Sequence, residues 1–170
     1  MTALLRPVLF LDVDGPIVTI VDPANDYSDP RVAWTRNDST GVRYNLEVVG
    51  WIHELAGLAE IRWLTAWEKS AAAELAPALG LPEFEVIPFE EHRFKELDWK
   101  HSAVLAQLID EPTRPVAWLD DEPEYRDAYD QLVPHALANK VPFFIVRPTL
   151  SDGLTEAHMI RLRTFLGRGS

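Results

Sequence analysis

The chain has 170 residues, the size of one domain with room for a sizeable apolar core. It holds no cysteine, which excludes a disulfide framework and a thiolate zinc site and leaves oxygen or imidazole ligands for any metal, so a hard cation is the better expectation. Lys and Arg number 16 against 27 Asp and Glu, and the net charge of −11 disfavours sequence-independent binding to nucleic acid or anionic membrane unless a local basic patch overrides it.

In chain order, Val8 to Leu11 reads as a buried strand. Leu46, Val49, Ile52, Leu55, Ala56 and Ala59 form a helical stripe over residues 46–59, and Ile61 to Leu64 is a second short apolar strand. Thr65 and Glu68 have the Ser/Thr-x-x-Glu spacing of a capping box opening an alanine-rich helix, which Gly80 terminates. Phe84 to Phe89 reads as a third strand, Lys100 to Asp110 as a helix and Val116 to Leu119 as a fourth strand. Glu124 to Leu137 reads as helical, Phe143 to Val146 as a fifth strand, and about Thr155 to Leu166 as a final amphipathic helix. Strands alternating with helices imply an α/β fold with a parallel sheet covered on both faces, the doubly wound class.

No repeat, low-complexity tract or composition break divides residues 1–170, so one domain is expected. Neither a charged-then-apolar leader nor an apolar run of membrane-spanning length is present, and the expectation is a soluble, cytoplasmic protein without a membrane partner.

In open parallel sheets, ligands collect beyond the carboxyl ends of the strands, near the point where strand order reverses. Asp12 and Asp14 follow the first strand, Thr65 the second, and Asp120 and Asp121 the fourth. Clustered carboxylates repel one another, and a divalent cation resolves the conflict; magnesium, with its preference for carboxylate, water and phosphate oxygens, suits such a pocket. Asp12 could then attack a phosphorus atom and form an aspartyl-phosphate, with Asp14 protonating the leaving oxygen and later activating water. Lys100 would neutralise charge on the phosphoryl group and the Thr65 hydroxyl could donate to it.

Each residue also has an ordinary structural reading. Asp-x-Asp-Gly is a common acidic turn, Thr65 an N-cap, Lys100 one charge among many in EEHRFKELDWKHS, and Asp120-Asp121 before Glu122-Pro123 a helix start. Their order along the chain is more informative than any one of them.

That order resembles the haloacid dehalogenase (HAD) superfamily of phosphatases and phosphotransferases: LFLDVDG as first motif, IRWLT as second, Lys100 in DWKHS as third and VAWLDDEP as fourth. The resemblance spans residues 8–123, and the element pattern extends it through residue 146. It implies a three-layer Rossmann-like fold with a mostly parallel five-stranded sheet. It also implies Asp12 as nucleophile and Asp14 as general acid/base with its backbone carbonyl on Mg2+. Thr65 and Lys100 would bind the phosphoryl group, and Asp120 and Asp121, one or both, would complete the metal site. WLTAWEKSAAAELAPALGLP also looks like a branch of small HAD domains, some of them found in RNA-repair proteins. One departure is Pro16, where many members place threonine; it removes a hydroxyl and a backbone N–H from the phosphate loop.

Family members that act on small metabolites commonly carry a cap domain, but residues 17–45 suit a hairpin flap better and residues 66–99 are consumed by the helix and strand already assigned. A capless, open site is expected, taking a bulky phosphorylated substrate such as a nucleic-acid end or a phosphoprotein. Arg31, Trp34, Arg36, Arg43 and Tyr44 of the flap could grip phosphate or stack on a base, or pack on the domain itself. His92, Arg93 and His101 near the third motif are open in the same way, while Trp51, Trp63 and Trp118 read as core. Three functions follow: a magnesium-dependent phosphomonoester hydrolase, a catalytically idle binding or regulatory domain, and a phosphate-accepting signalling domain. The last places its acceptor after a later strand.

Overall fold

Val8–Leu11 (β1) is apolar at every position and buried on both sides, which puts it at the centre of a covered sheet. The computed structural model of the chain describes residues 6–19, 34–36, 42–91, 93–121 and 126–167. After β1 come Trp34–Arg36 (β2) and Arg43–Asn45 (β3), an antiparallel hairpin in the segment expected to form a flap. Leu46–Leu58 (α1) follows, opened by the Asn45 side chain accepting from the Glu47 N–H at 2.9 Å. The chain continues through Glu60–Trp63 (β4), Ala76–Leu79 (α2), Glu85–Val86 (β5), Trp99–Asp110 (α3), Val116–Leu119 (β6), Arg126–Asn139 (α4), Phe143–Val146 (β7) and Glu156–Leu166 (α5).

The sheet is parallel throughout, in the order β5-β4-β1-β6-β7. Leu9, Leu11, Ile61, Trp63 and Leu119 face one layer, where they meet Ile52 and Leu55 of α1, Leu79 of α2 and Met159 and Leu162 of α5. Val8, Phe10, Val116 and Trp118 face the other, against Val104 and Leu108 of α3 and Leu132 and Ala136 of α4. This is the expected α/β architecture, a three-layer Rossmann-like fold, and the described residues build no separate cap. Trp63 and Trp118 are core, and Trp51 packs half-buried on it. No described helix is long and apolar enough to cross a membrane.

Three local expectations are corrected by the structure. The Thr65–Glu68 capping box does not form: Glu68 adopts a left-handed φ of +44° and its carboxylate accepts from the Phe89 N–H at 3.1 Å, while the Thr65 hydroxyl accepts from Trp67 N–H, one residue short of the box geometry. The alanine-rich helix also carries a π-helical turn at Ala71–Leu75, where the Ala76 N–H reaches back to the Ala71 carbonyl. Pro77 explains it, since its ring would crowd the carbonyl four residues earlier in a regular helix and it has no N–H to donate. Gly80 does end the helix, in left-handed conformation at φ +67°. The third strand is shorter than Phe84–Phe89 because Pro82 and Pro88 bracket it at the sheet edge, leaving Glu85 and Val86 paired.

At the amino edge of the sheet, buried Arg114 donates from Nε to the Arg6 carbonyl at 2.5 Å and its guanidinium pairs with Glu60 and Glu111. The Arg114 hydrogen bond holds the Glu60 carboxyl below the usual range, against a smaller opposing effect of burial. Arg114→Met is expected to destabilise the protein by about 1–3 kcal/mol, less than the loss of a fully buried pair, because Glu60 is partly solvated. A lowered urea midpoint at unchanged m-value is the measurement.

Candidate functional site

The parallel ladder continues one residue past each strand. Asp12 N–H bonds the Leu119 carbonyl at 3.0 Å, Asp120 N–H the Val146 carbonyl at 3.1 Å, and Leu64 N–H the Leu11 carbonyl at 2.9 Å. Asp12, Leu64 and Asp120 are thereby held level at the carboxyl edge. β1 lies between β4 and β6, where strand order reverses, so the two aspartates stand at the switch point.

Beyond Asp12 the chain turns sharply. The Ile17 and Val18 N–H groups both bond the Val13 carbonyl at 3.0 Å, so the N–H that Pro16 lacks is not needed. Gly15 closes the turn at φ +83°, and a Cβ there would lie 2.2 Å from Asp121 Cβ. Both the left-handed backbone and the approach of Asp121 require glycine. Gly15→Ala is expected to cost about 1–2 kcal/mol from the backbone alone and to push Asp121 aside. A lower thermal midpoint is the expected result.

Lys100 enters from α3. Asp98 caps that helix, accepting from the Lys100 N–H at 2.9 Å, and Trp99 packs its ring 5.5 Å from that of Phe89, which fixes the first turn against the sheet edge. The ammonium then donates to Asp12 Oδ2 at 2.6 Å and to Asp120 Oδ2 at 2.8 Å. All three side chains are nearly sequestered, with residue exposures of 5% for Lys100, 4% for Asp12 and 3% for Asp120. Burial by itself disfavours the ammonium, but attraction to Asp120 and Asp12 and the bonds to both outweigh it, so Lys100 stays protonated well above its ordinary range.

One ligand oxygen each from Asp12, Asp120 and Asp121 lies within 4.8 Å of the others. The donors are all hard oxygens, without imidazole or sulfur. That donor set fits a hard divalent cation such as magnesium. The Asp14 side chain is not part of the trio: its Oδ2 accepts from the Trp67 indole Nε1–H at 3.0 Å. Burial raises the Asp14 carboxyl above the usual carboxylate range; the indole bond opposes this, nearby Asp12 adds to it, and Lys100 opposes it.

Of the residues singled out in the sequence, Asp12, Lys100, Asp120 and Asp121 converge and Asp14 stands beside them. Thr65 is buried on the same edge, one residue after Leu64. Trp67 went unnoticed in the sequence; its position two residues after Thr65 was the available signal. Tyr44 is buried in the core rather than offered to a ligand, and Arg43 is exposed. Only the backbone of Trp34 and Arg36 is described, and Arg31 and His92 lie outside the described residues. Arg93 is exposed and pairs with Asp110 at 2.8 Å, and His101 is buried with its ring edge-on to Trp118 at 5.4 Å.

No family model, curated protein or solved structure matches the chain.

Proposed function

We propose that the chain is a magnesium-dependent phosphomonoester hydrolase of the haloacid dehalogenase type, working through an aspartyl-phosphate on Asp12. The observation that supports it most is the buried Lys100 ammonium held between Asp12 and Asp120 at the switch point, with Asp121 alongside. An electrostatic arrangement of this kind carries a carboxylate nucleophile and a cation for phosphoryl charge in one place.

Asp12, Asp120 and Asp121 would hold Mg2+, which when bound neutralises phosphate oxygens and orients the phosphoryl group. Asp12 Oδ2 or Oδ1 forms a bond to phosphorus as the ester P–O bond breaks and its electron pair passes to the leaving oxygen. Asp14, raised in pKa by burial, supplies the proton that this oxygen takes up. Asp14 as carboxylate then accepts a proton from water while the water oxygen attacks phosphorus. The acyl-phosphate P–O bond breaks, the carboxylate of Asp12 is restored and phosphate departs. Lys100 balances the negative charge on the phosphoryl oxygens in both steps.

An idle binding domain has one feature in its favour, since the Lys100 bridge satisfies Asp12 and Asp120 without any ligand. The raised Asp14 carboxyl argues against it, because a scaffold gains nothing from a half-buried acid aimed at the same edge. A screen of aryl, sugar and nucleotide phosphates and of 5′- and 3′-phosphorylated oligonucleotides, with Mg2+ and with EDTA, separates the two. Magnesium-dependent phosphate release is expected; none from any substrate would leave the binding domain standing.

A further inference from the structure

We propose that the loop between β7 and α5 positions Asp12: Gly153 bears on the turn that follows Asp12, and its contact with the Thr19 methyl sets how that turn orients the carboxylate. The proposal rests on the phosphatase reading above and names a positioning residue for its nucleophile.

The turn is closed on itself. The Ile17 and Val18 N–H groups converge on the Val13 carbonyl at 3.0 Å, and the Gly15 N–H donates to the Val18 carbonyl at 2.8 Å. The Val13 N–H in turn donates to Asp12 Oδ1 at 2.7 Å. A displacement of residues 15–19 therefore reaches the Asp12 carboxylate through one residue, Val13.

Two neighbours confine the turn. Asp121 lies against Gly15, and the β7–α5 loop closes in as well. The Leu154 N–H donates to the Pro16 carbonyl at 3.4 Å, and a Cβ on Gly153 would lie 2.8 Å from Thr19 Cγ2 and 3.4 Å from the Gly15 carbonyl oxygen. Gly153 also has a left-handed φ of +68°, so both its backbone and its surroundings call for glycine. Thr19 meets the loop with its methyl. Its side chain is buried and its hydroxyl has no hydrogen-bond partner among the described residues, so what it contributes there is shape.

The loop is tied down along its length. Val146, the last residue of β7, accepts from the Asp120 N–H at 3.1 Å. The Thr149 carbonyl accepts from the Gly153 N–H at 2.9 Å, and the Thr149 hydroxyl donates to the Asp152 carboxylate at 2.9 Å and accepts from the Asp152 N–H at 3.0 Å. Leu154 is buried in the same core layer as Met159 and Leu162, and Thr155 caps α5. A close-packed contact on a fixed loop transmits a displacement instead of absorbing it.

Gly153→Ala adds a methyl group that crowds Thr19 Cγ2, and Thr19→Ser removes Cγ2 while keeping the hydroxyl, so the double variant moves one methyl across the contact. Wild type, both single variants and the double variant are assayed with Mg2+ on p-nitrophenyl phosphate, at a temperature where circular dichroism shows each to be folded. Gly153→Ala is expected to lower kcat and kcat/KM together by about 10- to 100-fold, the scale on which a reacting group misplaced by about 1 Å loses rate. In the double variant kcat should return to within about threefold of wild type while the thermal midpoint stays low, because alanine at a left-handed φ remains strained after the clash is gone. A contact that serves stability alone would not let turnover recover without the midpoint. A folded Gly153→Ala protein with wild-type kcat, or a loss that Thr19→Ser does not rescue, would overturn the positioning role while wild-type hydrolysis keeps the phosphatase reading intact. Should Gly153→Ala fail to fold, two substitutions at Thr19 decide. Thr19→Ser alone, which opens the contact, should lower kcat by about 3- to 10-fold, and Thr19→Val, which keeps the methyl, should retain what Thr19→Ser loses. Equal kcat in these two variants overturns the proposal. A wild type that does not hydrolyse the ester overturns the phosphatase reading first and this proposal with it.

Discussion

Asp12→Asn is expected to lower magnesium-dependent phosphomonoester turnover by about 10⁴-fold or more, the scale on which enzymes lose rate when a covalent nucleophile is removed. The amide is nearly isosteric with the carboxylate, and its oxygen can still accept from the Val13 N–H that now bonds Oδ1 at 2.7 Å. The Lys100 ammonium keeps Asp120 as its partner at 2.8 Å, so no buried charge is left alone. Loss of activity should therefore come without loss of fold, seen as an unchanged far-UV circular dichroism spectrum. Persistence of wild-type turnover in this variant would remove Asp12 from the chemistry.

Lys100→Met is expected to have the largest effect on stability. The substitution leaves buried Asp12 and Asp120 facing each other and Asp121 without their shared cation, and breaking a buried pair in this way costs about 3–5 kcal/mol. The pH dependence has a definite sign. In the wild type the folded-state pKa of Lys100 is raised above its ordinary 10.5, so the stabilisation is complete below pH 10.5 and is lost only as pH rises through the higher folded value. Magnesium should raise the thermal midpoint more in the variant than in the wild type, because a site that has lost its ammonium attracts a dication more strongly and stabilisation by a ligand of the native state grows as the logarithm of its concentration over Kd. Turnover should fall as well, since nothing then offsets the phosphoryl charge at that position. Equal stability of the two proteins in EDTA at pH 7 would contradict the role given to the bridge.

The sheet was legible because three of its strands are unbroken apolar runs: Val8 to Leu11, Val116 to Leu119 and Phe143 to Val146 begin and end in the structure where they do in the sequence. The amphipathic helices were nearly as clear, and Thr155 is a working cap whose hydroxyl accepts from His158 N–H. Edge and turn chemistry was harder. Thr65-Ala-Trp-Glu matches a capping box letter for letter, yet Glu68 is drawn away by Phe89, a partner 21 residues distant that no local pattern can reveal. The acids at the strand ends could be placed on one edge by topology alone, but the Lys100 bridge depends on α3 being docked 88 residues from Asp12. The bond from Trp67 to Asp14 is likewise long-range, and a tryptophan in a mixed helix start reads first as packing.

Trapping the phosphoryl group on the enzyme is the most direct test. Asp14→Asn, which cannot activate water for the second step, is mixed with p-nitrophenyl phosphate and Mg2+, acid-quenched, digested and analysed by mass spectrometry. A hydroxylamine-labile phosphoryl group on Asp12, formed with Mg2+ and absent with EDTA, is the predicted result. Release of nitrophenol with Asp12 unmodified, or a phosphoryl group on a different residue, would mean that the carboxylate beside Lys100 does not attack phosphorus.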